Sequence, residues 1–189
     1  PRPAASAATV DISVTSGGTT VTKSAAFTYT ASVTVTGISP AFGPAAGGTQ
    51  VVITGTNFTG ATDVKFGTTS ATDKTVNSST QITATAPAGS GTVHITVITP
   101  GGTSATVTAD QFTYYGLPTI TGIGTVAGIS TGGTSVVITG TNFTGATDVK
   151  FGFISATSKT VDSSTQITAT APAGSGMVDI TVITPGGTS

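Results

Sequence analysis

Cysteine and tryptophan are absent, methionine and histidine occur once each, and glutamate is missing. Without cysteine there are no disulfides, no thiolate metal sites and no Cys nucleophile, although this does not choose a compartment, since secreted proteins also lack Cys at times. Charge is scarce: six Lys or Arg and seven Asp make up 7% of 189 residues, against about 25% in an ordinary soluble domain. The net charge of −1 supplies no field to steer the chain to nucleic acid or an anionic membrane. No apolar run approaches the roughly 18 residues of a spanning helix, so no membrane insertion is expected. The opening "PRPAASAATV" has no hydrophobic signal-peptide region. Because it starts on Pro1 rather than Met, the chain is expected to be a processed product or an excerpt, with a leader or further domains lying outside it.

What is abundant is threonine, 45 of 189 residues, a β-branched residue that favours strands. The sequence also repeats itself at an offset of 85: "VVITGTNFTGATDVKFG" at Val51 recurs at Val136, and "SSTQITATAPAGSG" at Ser78 recurs at Ser163. An internal duplication of this length sets the domain organisation before any motif is read. The predicted divisions are an N-terminal segment over 1–32, a first repeat over 33–115 and a second over 116–189.

The two ends of the series are complementary. "TVDISVTSGGTTVTKSAAFTY" at Thr9 aligns, with two one-residue gaps, to "TVHITVITPGGTSATVTADQFTY" at Thr92. The head is thus the back end of a repeat without its front. The second repeat has its front but lacks the counterpart of Ala105–Tyr115. Within each repeat, short alternating runs are punctuated by Gly, Pro, Asn and Ser, the pattern of an antiparallel sandwich, and helical periodicity is not evident. Alternation places Val51 with Ile53, Val64 with Phe66, Ile82 with Ala84 and Ala86, and Val93 with Ile95 and Val97 on core-facing sides. Val136, Ile138, Val178, Ile180 and Val182 are the expected core of the second repeat.

These residues resemble the IPT/TIG domains, immunoglobulin-like sandwiches. The resemblance is carried by "VTGISP" at Val35, "GGTQVVITGTNF" at Gly47, "VKFG" at Val64, "ITATAPAGSGTVHITV" at Ile82 and "FTYY" at Phe112, and covers nearly the whole chain. The second repeat departs from the pattern at "GIGTVAGIS" and at its last strand. The resemblance implies an all-β fold of two tandem immunoglobulin-like sandwiches, the second lacking its last strand, and a role as spacer or adhesive module without catalytic residues.

No enzyme site is expected. His94 falls on the outer face of its strand, where the corresponding positions hold Asp11 and Asp179, so it reads as a solvent-exposed residue, not a triad member. Asp63, Asp73 and Asp148 read as solvated loop acids, not a calcium site, since Asp73 becomes Ser158 in the second copy and calcium needs six to eight oxygens. Lys65 and Lys150 beside Asp63 and Asp148 suggest weak surface ion pairs. "GGT" has neither strand-to-helix context nor a following Lys, so no phosphate loop and no cofactor are expected. Asn57, Asn77 and Asn142 lie in N-x-S/T sequons and are glycosylation candidates. On a surface so poor in charge, covalent glycans would aid solubility.

A sandwich short of one strand exposes unpaired backbone and opens its core. In the first repeat Val107, Phe112 and Tyr114 are expected to fill that place. The head segment carries Val21, Phe27 and Tyr29 in the same order and is the candidate donor strand. Donation within one chain would have to pass back over a whole repeat, whereas donation to a neighbour is unobstructed and propagates head to tail. The expected function is therefore a subunit of an extracellular filament. The alternatives are an excerpt of a longer array whose missing strand lies beyond Ser189, a stalk or adhesin spacer, and a carbohydrate-binding accessory module. The last is weakened by the absence of Trp and by Tyr29, Tyr114 and Tyr115 standing at strand ends. Six basic residues without a cluster argue against DNA binding.

Overall fold

A computed structural model describes residues 8–189. The chain is all-β, with one short 3-10 turn among the described residues. Its head forms β1 (Ala8–Ser16) and β2 (Thr19–Tyr29), which pair antiparallel as a two-stranded sheet across the turn at Gly17 and Gly18. Both glycines have positive φ, +57° and +80°, which a two-residue hairpin turn demands.

The first sandwich contains β3 (Thr34–Ser39), β4 (Phe42–Pro44), β5 (Gln50–Thr56), β6 (Asp63–Phe66), β7 (Thr69–Ser70), β8 (Asp73–Ser78), β9 (Gln81–Thr85), β10 (Gly91–Thr99), β11 (Gly102–Thr103) and β12 (Gln111–Tyr115). One sheet has the order β3-β5-β9-β8, and the other β4-β12-β10-β6-β7 with β11 folded back on β10. The second sandwich contains β13 (Thr119–Ile123), β14 (Ser135–Thr141), β15 (Asp148–Phe151), β16 (Ile154–Ser155), β17 (Ser158–Ser163), β18 (Gln166–Thr170), β19 (Ile180–Thr184) and β20 (Gly187–Thr188). Its sheets run β13-β14-β18-β17 and β16-β15-β19-β20.

The alternation builds the cores as expected except at Val178, which the sequence places in the second core and which is half exposed because, among the described residues, no strand covers it. Val51, Ile53, Val64, Ile82, Ile95 and Val97 are fully buried in the first sandwich, and Val136, Ile138, Val149, Ile167 and Val182 are buried in the second. A Phe plugs each core beneath a glycine of the central strand. A Cβ on Gly55 would stand 1.9 Å from the Thr34 carbonyl oxygen and 2.5 Å from the Phe58 ring, and one on Gly140 would meet Thr119 and Phe143 at the same distances. Only glycine fits there.

Two further expectations are corrected. The segment Ala105–Tyr115 is not one continuous strand: Thr108–Asp110 form the 3-10 turn, and pairing resumes only at Gln111. The turn swings Val107 outward, leaving it exposed, while Phe112 and Tyr114 are buried as anticipated.

Candidate functional site

The first sandwich shows what its last strand does. β12 lies between β10 and β4, running parallel to β4 with Tyr114 opposite Gly43. Phe112 is wholly buried and meets the Phe66 ring edge-on at 5.3 Å. Tyr114 covers Gly89 so closely that a Cβ there would approach its ring to 2.6 Å, and burial pushes its phenol pKa up. The Ala45 N–H donates to the Tyr115 carbonyl at 2.7 Å, and the Gly89 N–H to the Ala45 carbonyl at 2.9 Å.

In the second sandwich, among the described residues, no strand stands in this place. The residues 85 further along line an open groove of about 960 Å³, with Phe151 for Phe66, Gly174 for Gly89 and Ser130 for Ala45. The Gly174 N–H still donates to the Ser130 carbonyl at 2.9 Å, so the groove wall keeps its shape. A Cβ on Gly174 would meet nothing within 4 Å. β10 starts at Gly91, yet β19 starts only at Ile180, so Gly176–Asp179 lack the ladder that their counterparts make. Phe151 and Ile180 lose the near-complete burial of Phe66 and Ile95. Val178 is half exposed on the groove wall, and Phe153 and Met177 are fully exposed. The remaining expected core residues, Val136, Ile138 and Val182, lie beneath.

The hairpin is amphipathic. Its register sets Val10 opposite Phe27, Ile12 opposite Lys23 and Val14 opposite Val21, so one face is apolar, with Tyr29, apart from Lys23. That face is uncovered: Val21, Phe27 and Tyr29 are 70%, 50% and 48% exposed. On the other face Ser13 bonds Thr22 and Thr15 bonds Thr20, each hydroxyl pair at 2.7 Å.

His94 differs from the sequence expectation. Its side chain points outward and is 40% exposed, but its Nδ1 lies 2.5 Å from Oδ1 of Asp110, which is completely buried. Asp110 also accepts the Val107 N–H at 2.8 Å, and this pins the 3-10 turn. Strand alternation alone gives the direction of His94 but not its partner, 16 residues on. The pairing leads to a prediction: His94→Ala leaves a buried carboxylate short of a donor and should destabilise the first sandwich by about 1–3 kcal/mol. Chemical denaturation should show that loss, whereas Asp179→Ala, at the exposed matching position, should leave the midpoint of the second sandwich unchanged.

The remaining candidates serve local structure. Asp63 lies 3.7 Å from Lys65 and also accepts the Val64 N–H and the Ser70 hydroxyl, both at 2.8 Å. Asp148 repeats the last two bonds with Val149 and Ser155. No cluster of three metal-ligating side chains occurs among the described residues. Asn57 and Asn142 are exposed, hold positive φ of 60° and 59°, and donate at 2.8 Å to the carbonyls of Ser32 and Leu117, where the chain enters each sandwich. Exposed Asn77 donates to Thr83 at 2.8 Å. None of the described residues forms a helix long and apolar enough to cross a membrane.

A family description, "IPT/TIG domain", matches residues 33–114 and 118–189. No curated protein matches. Among solved structures, the chain resembles SGBP-B from a complex xyloglucan utilization locus in Bacteroides uniformis at 27% identity and TM-score 0.38, covering 83% of this chain and 47% of that one. It resembles the plexin A4 extracellular region at 22% identity and TM-score 0.45, covering 84% of this chain and 17% of the other. The I9–I11 tandem of titin matches at 9% identity and TM-score 0.38 over 96% of this chain and 71% of its own.

Proposed function

Since the chain belongs to the IPT/TIG family, with two domains in tandem, we propose that it is a structural subunit of an extracellular filament, joined head to tail by strand complementation. In this reading β2 of one copy enters the groove of the second sandwich of the next. The observation that carries it is the groove itself, open at the position that β12 fills in the first sandwich. Its occupant should be an extended strand with an aromatic residue for Phe151 and another, two positions on, for Gly174. Phe27 and Tyr29 have that spacing and already stand exposed.

The contact is heterologous: groove and donor are different surfaces, so one copy uses its groove and offers its strand independently, and the chain of contacts stays open. Strand addition draws affinity from main-chain hydrogen bonds and specificity from alternate side-chain pockets. The reading assigns the protein no chemistry of its own, and leaves Asn57, Asn77 and Asn142 as positions for covalent glycans on the filament surface. Removal of residues 1–30 tests it. Shortened chains should sediment as monomers under conditions where intact chains polymerise, and polymers of shortened chains would overturn it.

A further inference from the structure

The same strand pair occurs in two settings, and they differ at one position. In the first sandwich His94 on β10 faces Asp110 ahead of β12. In the hairpin Asp11 on β1 stands in the place of His94, and Ala25 on β2 in the place of Asp110. There the Asp11 Oδ1 accepts the backbone N–H of Ala25 at 2.7 Å. The contact falls where the ladder is interrupted between Val10 and Ile12, and Ala25 has a φ of 51°. The carboxylate therefore answers a backbone donor that the irregular ladder leaves over.

The groove presents a third version of the site. Ahead of β19 the chain reads Val178–Asp179–Ile180, the same three residues as Val10–Asp11–Ile12 of β1. Asp179 lines the groove with an exposed side chain, while its backbone carbonyl stays bound to the Gly152 N–H at 2.7 Å. Gly152, just past β15, thus holds the main chain in place, and the exposed carboxylate stands at the groove lining.

We infer that Asp11 and Asp179 are rival acceptors for the Ala25 N–H, and that assembly is an exchange in which β2 trades β1 for β19 of a neighbouring copy. The inference rests on the strand-complementation reading and adds its chemistry. One edge of β2 cannot serve β1 and β19 at once, because the edge that pairs with β1 corresponds to the edge of β12 that pairs with β10. β2 must leave β1 to enter the groove in the β12 orientation, and it meets an identical Val-Asp-Ile segment there. Backbone bonds and the carboxylate contact are thereby replaced like for like, and the apolar face of β2 is covered as net gain. The same residue discriminates against β12 of another copy, whose Asp110 would face Asp179 as a second carboxylate.

The test measures self-association of full-length Asp11→Ala and Asp179→Ala beside the intact chain, by sedimentation over a concentration series. Both substituted carboxylates are exposed, so each variant should fold. A hydrogen bond to a charged acceptor is worth about ten-fold in an equilibrium constant. Asp179→Ala should weaken association by about that factor, because the groove loses its acceptor. Asp11→Ala should tighten it about as much, because the free hairpin loses the competing contact. Intact chains that polymerise while the two variants match them, or shift in the same direction, would overturn the exchange and keep the complementation reading. Intact chains that remain monomeric throughout would overturn both.

Discussion

Chains lacking residues 1–30 are expected to remain monomeric at every concentration where the intact chain forms polymers, as read by sedimentation or electron microscopy. The shortened chain keeps its groove but has no β2 to donate. The exposed apolar face of β2 gives the expected size of the effect. Burying a large aliphatic or aromatic side chain contributes about 1.5–3 kcal/mol, and Val21, Phe27 and Tyr29 are roughly half to two-thirds exposed before assembly. Covering all three stabilises each contact by about 3 kcal/mol, or more than a hundredfold in dissociation constant. In mixtures, shortened chains should cap growth, since their grooves accept a donor while they offer none.

A pair of identical substitutions should separate folding from assembly. Phe112→Ala removes a fully buried ring from the first sandwich and its edge contact with Phe66. Large-to-small changes of this kind cost about 3–5 kcal/mol, a large share of the 5–15 kcal/mol of a typical domain. The variant should show a lowered melting transition of the first sandwich. Phe27→Ala, at the matching position of β2, alters a half-exposed ring on an uncovered face. It should leave the melting of both sandwiches unchanged and weaken polymerisation by about ten-fold, the share of one half-exposed ring in the contact. If Phe27→Ala polymerised like the intact chain, the aromatic seat on Phe151 would be wrong.

The sandwich architecture was legible in the sequence because its determinants are local and occur twice. Alternating Val51 and Ile53 or Val64 and Phe66, with Gly-rich turns between, define faces through the period of two alone. The head was legible as two strands through its alignment with Thr92–Tyr114, whereas its apolar face follows from the pairing of Val10 with Phe27 and Val14 with Val21. What could not be read from alternation was tertiary. The partnership of His94 with Asp110 depends on a 3-10 turn that brings together residues on different elements, and strand alternation alone cannot place it. The same turn expels Val107, which had every local mark of a core residue. The half-exposure of Val178 arises likewise from the missing neighbour and not from its own pattern.

The account depends on a neighbouring copy supplying the strand beside β19. A density map of the native polymer tests this most directly. The account predicts β2 of one copy running between β19 and residues 127–130 of the next, with Phe27 against Phe151 and Tyr29 over Gly174. A map in which that groove holds a segment of its own chain, or stays open along the fibre, would contradict it.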